Sequence, residues 1–292
     1  MLRGVVVLRV PKTEAALKAM YPRCVICGGR EVKATHWNDI FGTGCSLVEC
    51  TTCGVRFYDK PMLADPVGFY STDAYDDYIR RHVEYGSPFL REFDQAEYDR
   101  YTRTRGRTYT KMIDLLRSNM ARPLESLYEV GASWGLFLEV AQANGIKDVA
   151  GCDLSRAGAA KAKERGFDVE HAAFLEARPP DQVDAVVSSD VIEHTPTPGA
   201  DLARAFVLTR PGGGLCLKTF YDEWHDTREL DLSPRNKGAE HGYLTAGYFG
   251  SSHLVHFSTA ALVGAIERVG YVVKFVRHHE TCGQVDVYAV KP

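Results

Sequence analysis

The stretch Ser126-Leu-Tyr-Glu-Val-Gly-Ala-Ser-Trp-Gly-Leu-Phe-Leu-Glu-Val-Ala-Gln-Ala-Asn-Gly145 constrains this chain more than any other. Leu127, Tyr128 and Val130 form a short apolar run that stops at Gly131. From Gly135 onward Leu136, Phe137, Val140 and Ala141 fall on one helical stripe, with Gly145 as its stop. The pattern predicts a strand, a glycine turn and a helix. Such a junction lets a ligand approach bare backbone at the positive end of a helix.

The next turn of the chain repeats the unit. Asp148-Val-Ala-Gly-Cys-Asp153 predicts a second strand ending in an acid 24 positions after Glu129. At that separation a nucleotide-binding βαβ unit presents a carboxylate to ribose hydroxyls. Ser155 then caps a helix from Arg156 to Arg165 that stops at Gly166, and Gly166 to Glu170 predicts a third strand. Phe174 follows where an adenine ring would lie, as either a cover for that ring or a core aromatic. Val183 to Asp190 is almost continuously apolar, as in a strand buried on both faces, and leads into Glu193, His194 and a Thr-Pro-Thr-Pro turn. A helix from Ala200 to Thr209, a turn Arg210-Pro-Gly-Gly-Gly214 and a strand Leu215 to Phe220 come next. Residues 221 to 252 lack a period but carry Trp224, His225, His241, Tyr243 and Tyr248, which suits part of a substrate pocket. His253-Leu-Val-His-Phe-Ser258 precedes a helix capped by Ser258 and stopped by Gly270. Two strands, Tyr271 to His278 and Gln284 to Lys291, end the chain.

Four of the eight cysteines form Cys24-Val-Ile-Cys27 and Cys50-Thr-Thr-Cys53, with 22 residues between the pairs and a glycine, Gly28 or Gly54, after each. Doubled C-x-x-C-G knuckles aim four thiolates at one tetrahedral ion, which predicts a zinc ribbon. Four thiolates leave no open position, so the metal is expected to be structural. Cys45 is an alternative ligand without a knuckle partner; Cys152, Cys216 and Cys282 read as core or loop thiols. The net charge of -3 argues against a nucleic-acid binder, which usually shows a strongly basic surface. The start of the chain has only a four-residue apolar run between arginines, and nothing in the sequence is long enough to cross a membrane, so a cytoplasmic protein with reduced thiols is expected.

These features divide the chain into a ribbon with an N-terminal strand (1–62), a helical lid or linker (63–122) and a nucleotide-binding domain (123–292). Between ribbon and domain, Phe69-Tyr-Ser-Thr-Asp-Ala-Tyr75-Asp-Asp-Tyr78 is aromatic and acidic, and Arg100, Arg103, Arg105 and Arg107 follow. The stretch reads either as a solvated helix face over packed tyrosines or as a lid, with Tyr70 or, preferably, Tyr75 reaching substrate and the arginines attracting an anionic group such as a phosphate.

Three readings compete for the glycine turn. Dinucleotide sites prefer G-x-G-x-x-G, whereas Ser133 holds the middle position here and no third glycine follows. A hydrolase elbow fits the letters Gly131-Ala-Ser133-Trp-Gly135, with Ser133 as nucleophile, but sits on a central strand with several strands before it. Glu129-Val-Gly131-Ala-Ser133-Trp-Gly135 resembles the first motif of class I S-adenosylmethionine (SAM) methyltransferases. Gly151-Cys-Asp153-Leu154-Ser155, Asp190-Val-Ile-Glu193-His194, Arg210-Pro-Gly-Gly-Gly214 and the segment from His253 to Ser258 match further signatures of that family. With the ribbon cysteines, the whole chain is similar to the zinc-ribbon methyltransferases that modify sugars and natural products.

That resemblance implies a Rossmann-like, seven-stranded, mostly parallel sheet with SAM held by Glu129, Gly131, Ser133, Gly135, Asp153, Leu154, Phe174 and Asp190. It implies a small-molecule acceptor, such as a phosphorylated or nucleotide-linked sugar. Deoxysugar C-methyltransferases of the group carry a Glu-His pair where this chain has Ser252-His253, which favours O-methylation of a sugar, glycan or other hydroxylated metabolite. Removing a hydroxyl proton suits a histidine, and His253 and His194 are the candidates, each equally suited to a structural role. An inactive methyltransferase-like adaptor using the ribbon to bind nucleic acid is a reading of a different class.

Overall fold

The computed structural model describes residues 23–35, 46–59, 95–223, 253–280 and 282–292. Tyr75, Tyr70, Cys45, the N-terminal strand and the aromatic stretch from Trp224 to Ser252 lie outside the described residues.

The sheet expected from the sequence is present. In chain order its strands are β4 (Ser126–Val130), β5 (Asp148–Asp153), β6 (Asp168–His171), β7 (Val183–Ser189), β8 (Thr209–Phe220), β10 (Val272–His279) and β11 (Gln284–Val290). They lie in the order β6-β5-β4-β7-β8-β11-β10. Pairings β4 with β5, β4 with β7 and β5 with β6 are parallel. Only residues 280 to 283 join β10 to β11, too few for a parallel crossover.

Helix α1 (Gln95–Asn119) presents Met112, Ile113 and Leu116, spaced for one face, to a core shared with Leu127, Phe137, Leu138 and Val187. Arg103 and Arg107 of the same helix are exposed. Helices α2 (Leu136–Ala143) and α3 (Arg156–Glu164) follow β4 and β5. The Ser155 hydroxyl accepts a hydrogen bond from the Gly158 amide at 3.0 Å, so the cap is where the sequence places it. Helix α4 (Pro198–Leu208) precedes β8, and α5 (Thr259–Arg268) is capped by Ser258, which accepts from the Ala261 amide at 3.1 Å.

One element differs from expectation. Arg210-Pro-Gly-Gly-Gly214 is not a free turn but the first half of β8. Gly212 donates to the Lys291 carbonyl at 2.8 Å, and the Lys291 amide donates to Gly213 at 2.9 Å. A Cβ on Gly213 would stand 2.5 Å from the Asp184 carbonyl oxygen, so the absent side chain lets neighbouring backbone close in. At the same end of the sheet, the Asp184 carboxylate accepts from the amides of Glu125 (3.0 Å) and Ser126 (2.9 Å) and pairs with Arg122 (2.8 Å) and Arg210 (3.1 Å). Burial raises its proton affinity, but those amides and Arg210 outweigh it and hold the carboxyl below its usual range.

The cysteine segment forms a second, antiparallel sheet in the order β1 (Val32–Ala34), β2 (Leu47–Cys50), β3 (Arg56–Tyr58), β9 (Val255–His256). The fourth strand comes from the far end of the chain: Phe57 lies opposite Val255 and Arg56 opposite His256. The ribbon is thus not closed within residues 1–62. The chain separates into two compact units, one holding the described residues of Met1–Pro66, Asp190–Arg204 and Lys218–Val287, the other those of Val67–Ser189, Ala205–Leu217 and Tyr288–Pro292. No helix among the described residues is long and apolar enough to cross a membrane.

Candidate functional site

The glycine turn after β4 is held by backbone. The amides of Gly131 and Ala132 both donate to the Cys152 carbonyl of β5, at 2.8 and 3.0 Å. Gly131 and Gly135 each have φ of 77°, and Ser133 between them has φ of 45°. Ser133 takes the left-handed backbone of the glycine it replaces, an arrangement that costs an L-residue about 1–2 kcal/mol. What holds it there is Asp153, whose Oδ2 accepts the Ser133 amide at 2.7 Å while Oδ1 accepts the Ser155 amide at 2.7 Å. Burial pushes the Asp153 carboxyl above its usual range, and those two amides limit the rise.

Glycine is required twice more around this turn. A Cβ on Gly135 would stand 2.8 Å from the Phe167 ring, and one on Gly151 would stand 2.6 Å from the Glu129 carbonyl oxygen. Gly151 lies inside the second motif, and its need for a bare Cα comes from its pairing opposite Glu129, which only the β4–β5 register sets. Leu154 directs its carbonyl to the His171 ring at 3.1 Å, and Phe174 is buried with its ring centroid 6.1 Å from that of Tyr128.

Glu129 is 6% exposed, and its Oε2 has no hydrogen-bond partner among the described residues. Burial first, and the Asp153 charge second, push its carboxyl well above the usual range. An orphaned buried carboxylate oxygen beside this turn is open to an N–H or hydroxyl donor of a ligand. Of the residues the resemblance names on this side, Ser133 is bonded to Asp153 and Glu129 lies within reach of the Asp153 charge.

Asp190, expected among them, is arranged by different partners. It has φ of 58°, and its carboxylate receives Lys218 Nζ at 3.1 Å on one oxygen and Gln284 Nε2 at 2.6 Å on the other. Three residues on, Glu193 and His194 lie in a 3-10 turn, Ile192–His194. The Leu254 amide donates to the Glu193 carbonyl at 2.7 Å and so ties this turn to His253. The rings of His194 and His253 meet edge-on with centroids 4.6 Å apart. Both candidate histidines therefore belong to one cluster, with Glu193 as its third member. No single residue type or spacing in the sequence signals that grouping, because its parts lie some sixty positions apart.

The cysteines converge as their spacing predicts. Cys24 and Cys53 sulfurs are 3.4 Å apart, Cys27 and Cys50 sulfurs 3.6 Å, and all four lie within 4.8 Å of one another. The two knuckles are alike: Gly28 donates to Cys24 O at 2.8 Å and Gly54 to Cys50 O at 2.9 Å, with φ of 72° and 73°. The Gly29 amide also points at Cys27 Sγ, 3.4 Å away. Sulfurs around a tetrahedral ion with bonds of about 2.3 Å stand roughly 3.8 Å apart, so the donor set fits one. The hydrogen bond to Cys53 and then burial push the Cys24 thiol up. At Cys50 burial also raises, but the amides of Cys53 and Thr52 prevail and pull the thiol down to about 7.

A family model described as a methyltransferase domain matches residues 98–274, more than half of the chain. No curated protein sequence matches it. Among solved structures it is similar to magnesium protoporphyrin IX methyltransferase of Synechocystis, at 15% identity over 77% of this chain and 97% of that one, with a TM-score of 0.49. It is similar to DesVI of Streptomyces venezuelae at 19% identity over 69% and 100% of the two chains, TM-score 0.49. The N-methyltransferase NodS of Bradyrhizobium japonicum is matched at 14% identity over 68% and 99%, TM-score 0.46. The chain belongs to the methyltransferase-domain family and is a class I SAM-dependent methyltransferase.

Proposed function

We propose that the enzyme methylates a hydroxyl of a small molecule, with a sugar, a glycan or another hydroxylated metabolite as acceptor. The observation that carries this reading is the cluster of His194, His253 and Glu193, whose donor atoms lie within 4.8 Å of one another. Methyl transfer to oxygen needs a hydroxyl that loses its proton as it attacks, and two adjacent imidazoles beside a carboxylate suit that task. The exposed Arg103 and Arg107 suit a phosphorylated or nucleotide-linked acceptor.

SAM supplies an electrophilic methyl group on a cationic sulfur. The chain's own contribution is placement. In this reading the bare backbone of the Gly131–Gly135 turn lies against the nucleoside, the Asp153 carboxylate takes ribose hydroxyls beside the Ser133 and Ser155 amides it already accepts, and the unpartnered Oε2 of Glu129 takes a donor group. Cys24, Cys27, Cys50 and Cys53 hold a structural zinc, which contributes folding energy to a segment with little core of its own.

C-methylation is the second reading. Its weakness in the sequence was the missing carboxylate before His253, and Glu193 stands beside that histidine in space. C-methylation also needs a donor for an enolate oxygen, and the Lys218 ammonium is already committed to Asp190. Methyl-transfer assays over nucleotide-sugar and glycan pools, with the product examined by NMR, test the proposal. A new O-methyl resonance supports it, and a new C-methyl resonance replaces it with the second reading. Transfer only to amines would overturn both.

A further inference from the structure

Glu193 is 2% exposed, yet neither carboxylate oxygen has an aligned hydrogen bond among the described residues. The Thr219 hydroxyl and the Glu193 amide lie near enough to favour its charged form, but neither is aligned on it as a hydrogen bond. A buried carboxylate in a folded protein is normally met by donors or by a cation, because leaving it unmet costs several kcal/mol. Of the nearby charges Asp190 repels Glu193 and Lys218 attracts it. Asp190 and Glu193 provide two carboxylates, and the Lys218 ammonium sits on Asp190 at 3.1 Å. The two imidazoles are close enough to help, but no ring N–H is aligned on a Glu193 oxygen.

The geometry is instead that of ligands converging on one point. One ligating atom each from Glu193, His194 and His253 lies within 4.8 Å of the other two. Small side-chain rotations bring such atoms to the separation of about 3 Å that neighbouring ligands of one ion adopt. His253 is 6% exposed, and its ring lies against that of Phe220, with centroids 5.3 Å apart.

We propose that Glu193, His194 and His253 form a second metal site, for a divalent transition ion held by two nitrogens and one oxygen and separate from the four-cysteine cluster. Two imidazoles and a carboxylate suit borderline ions such as Mn(II), Fe(II), Co(II) or Zn(II), and three protein ligands leave positions open. The use of those positions rests on the O-methylation reading. An acceptor hydroxyl bound to the ion is acidified, as metal-bound water is, and releases its proton to solvent. The oxygen lone pair then forms the C–O bond as the C–S bond breaks, its electron pair passing to sulfur to leave a neutral thioether. His253 is a metal ligand in this scheme and not the proton acceptor.

Cobalt(II) added to the full chain, with its cysteine site already loaded with zinc, tests the site without any acceptor. The wild type is expected to take up one cobalt per chain, with the visible absorption of nitrogen and oxygen ligation and no thiolate charge-transfer band. Glu193→Gln and His253→Gln are expected to weaken that uptake by more than about 100-fold. Both variants are expected to keep the cysteine-bound zinc and the circular dichroism of the wild type. Absence of a second cobalt in the wild type, or equal uptake by well-folded variants, overturns the proposal. Failure of the O-methylation reading shows separately, as absent transfer to hydroxylated acceptors with the cobalt spectrum intact.

Discussion

The cysteine cluster and the Glu193–His194–His253 cluster both gather metal-binding side chains, but over different distances in the chain. Each cysteine pair is set by a four-residue knuckle whose hydrogen bonds run between near neighbours, Gly28 to Cys24 and Gly54 to Cys50. The second cluster joins a 3-10 turn after β7 to His253, two residues before β9, with the Leu254 amide donating to the Glu193 carbonyl between them. The first is therefore written in a spacing, and the second exists only once the chain has folded. The two are also linked, because β9 pairs with β3 of the ribbon. The ribbon is thus no mere appendage, since its β3 supports the strand that follows His253.

The largest expected effect tests that link. Cys50→Ser is expected to abolish binding of the ribbon ion, removing about 10 kcal/mol of metal-coupled folding energy. Hydrogen exchange would show loss of amide protection in β1 to β3. If the link holds, β9 loses protection as well and the second cobalt site is lost; an intact second site would separate the two clusters.

Next in size is catalysis. His253→Ala and His194→Ala are both expected to lower kcat by roughly 10²- to 10⁴-fold, with affinity for S-adenosylhomocysteine unchanged. A loss confined to His253 would make it a lone base and break the cluster reading.

On the side built by backbone, Asp153→Ala is expected to weaken S-adenosylhomocysteine binding by about 2 to 4 kcal/mol in calorimetry. The same carboxylate anchors the Ser133 and Ser155 amides, so Asp153→Asn is expected to lose less. Unchanged affinity in both variants would remove the turn from cofactor binding.

Asp184→Asn is expected to cost about 2 kcal/mol, less than a fully buried pair because Arg122 and Arg210 are about one-third exposed. With its folded pKa depressed, Asp184 contributes stability that is fully present above the ordinary aspartate value, about 4. That contribution is lost as pH falls through the folded value. Thermal melts from pH 7 down to 2 are expected to show a flatter acid limb in the variant.

The smallest effect is a gain: Ser133→Gly relieves the left-handed backbone and is expected to add about 1 kcal/mol of stability. A loss of stability instead would mean that the serine side chain contributes more than its backbone costs.

The repeated strand-to-helix junctions, the caps at Ser155 and Ser258 and the knuckles at Gly28 and Gly54 could all be read from the chain. Each depends on residues within one turn of one another, where hydrophobic period, hydroxyl caps and glycine's access to positive φ decide the outcome. Tertiary structure alone decided the rest. Arg210-Pro-Gly-Gly-Gly214 looks like a turn, and becomes strand because Lys291 and Asp184 bring backbone against its bare glycines. Asp153 is legible as a ribose ligand, but its hold on the Ser133 amide depends on the adjacency of β4 and β5. Glu193 is one acid among many in the sequence, and only the fold buries it beside His194 and His253. The physical division is between interactions closed within a few residues, which the chain encodes locally, and the burial of charge, which depends on everything that packs around it.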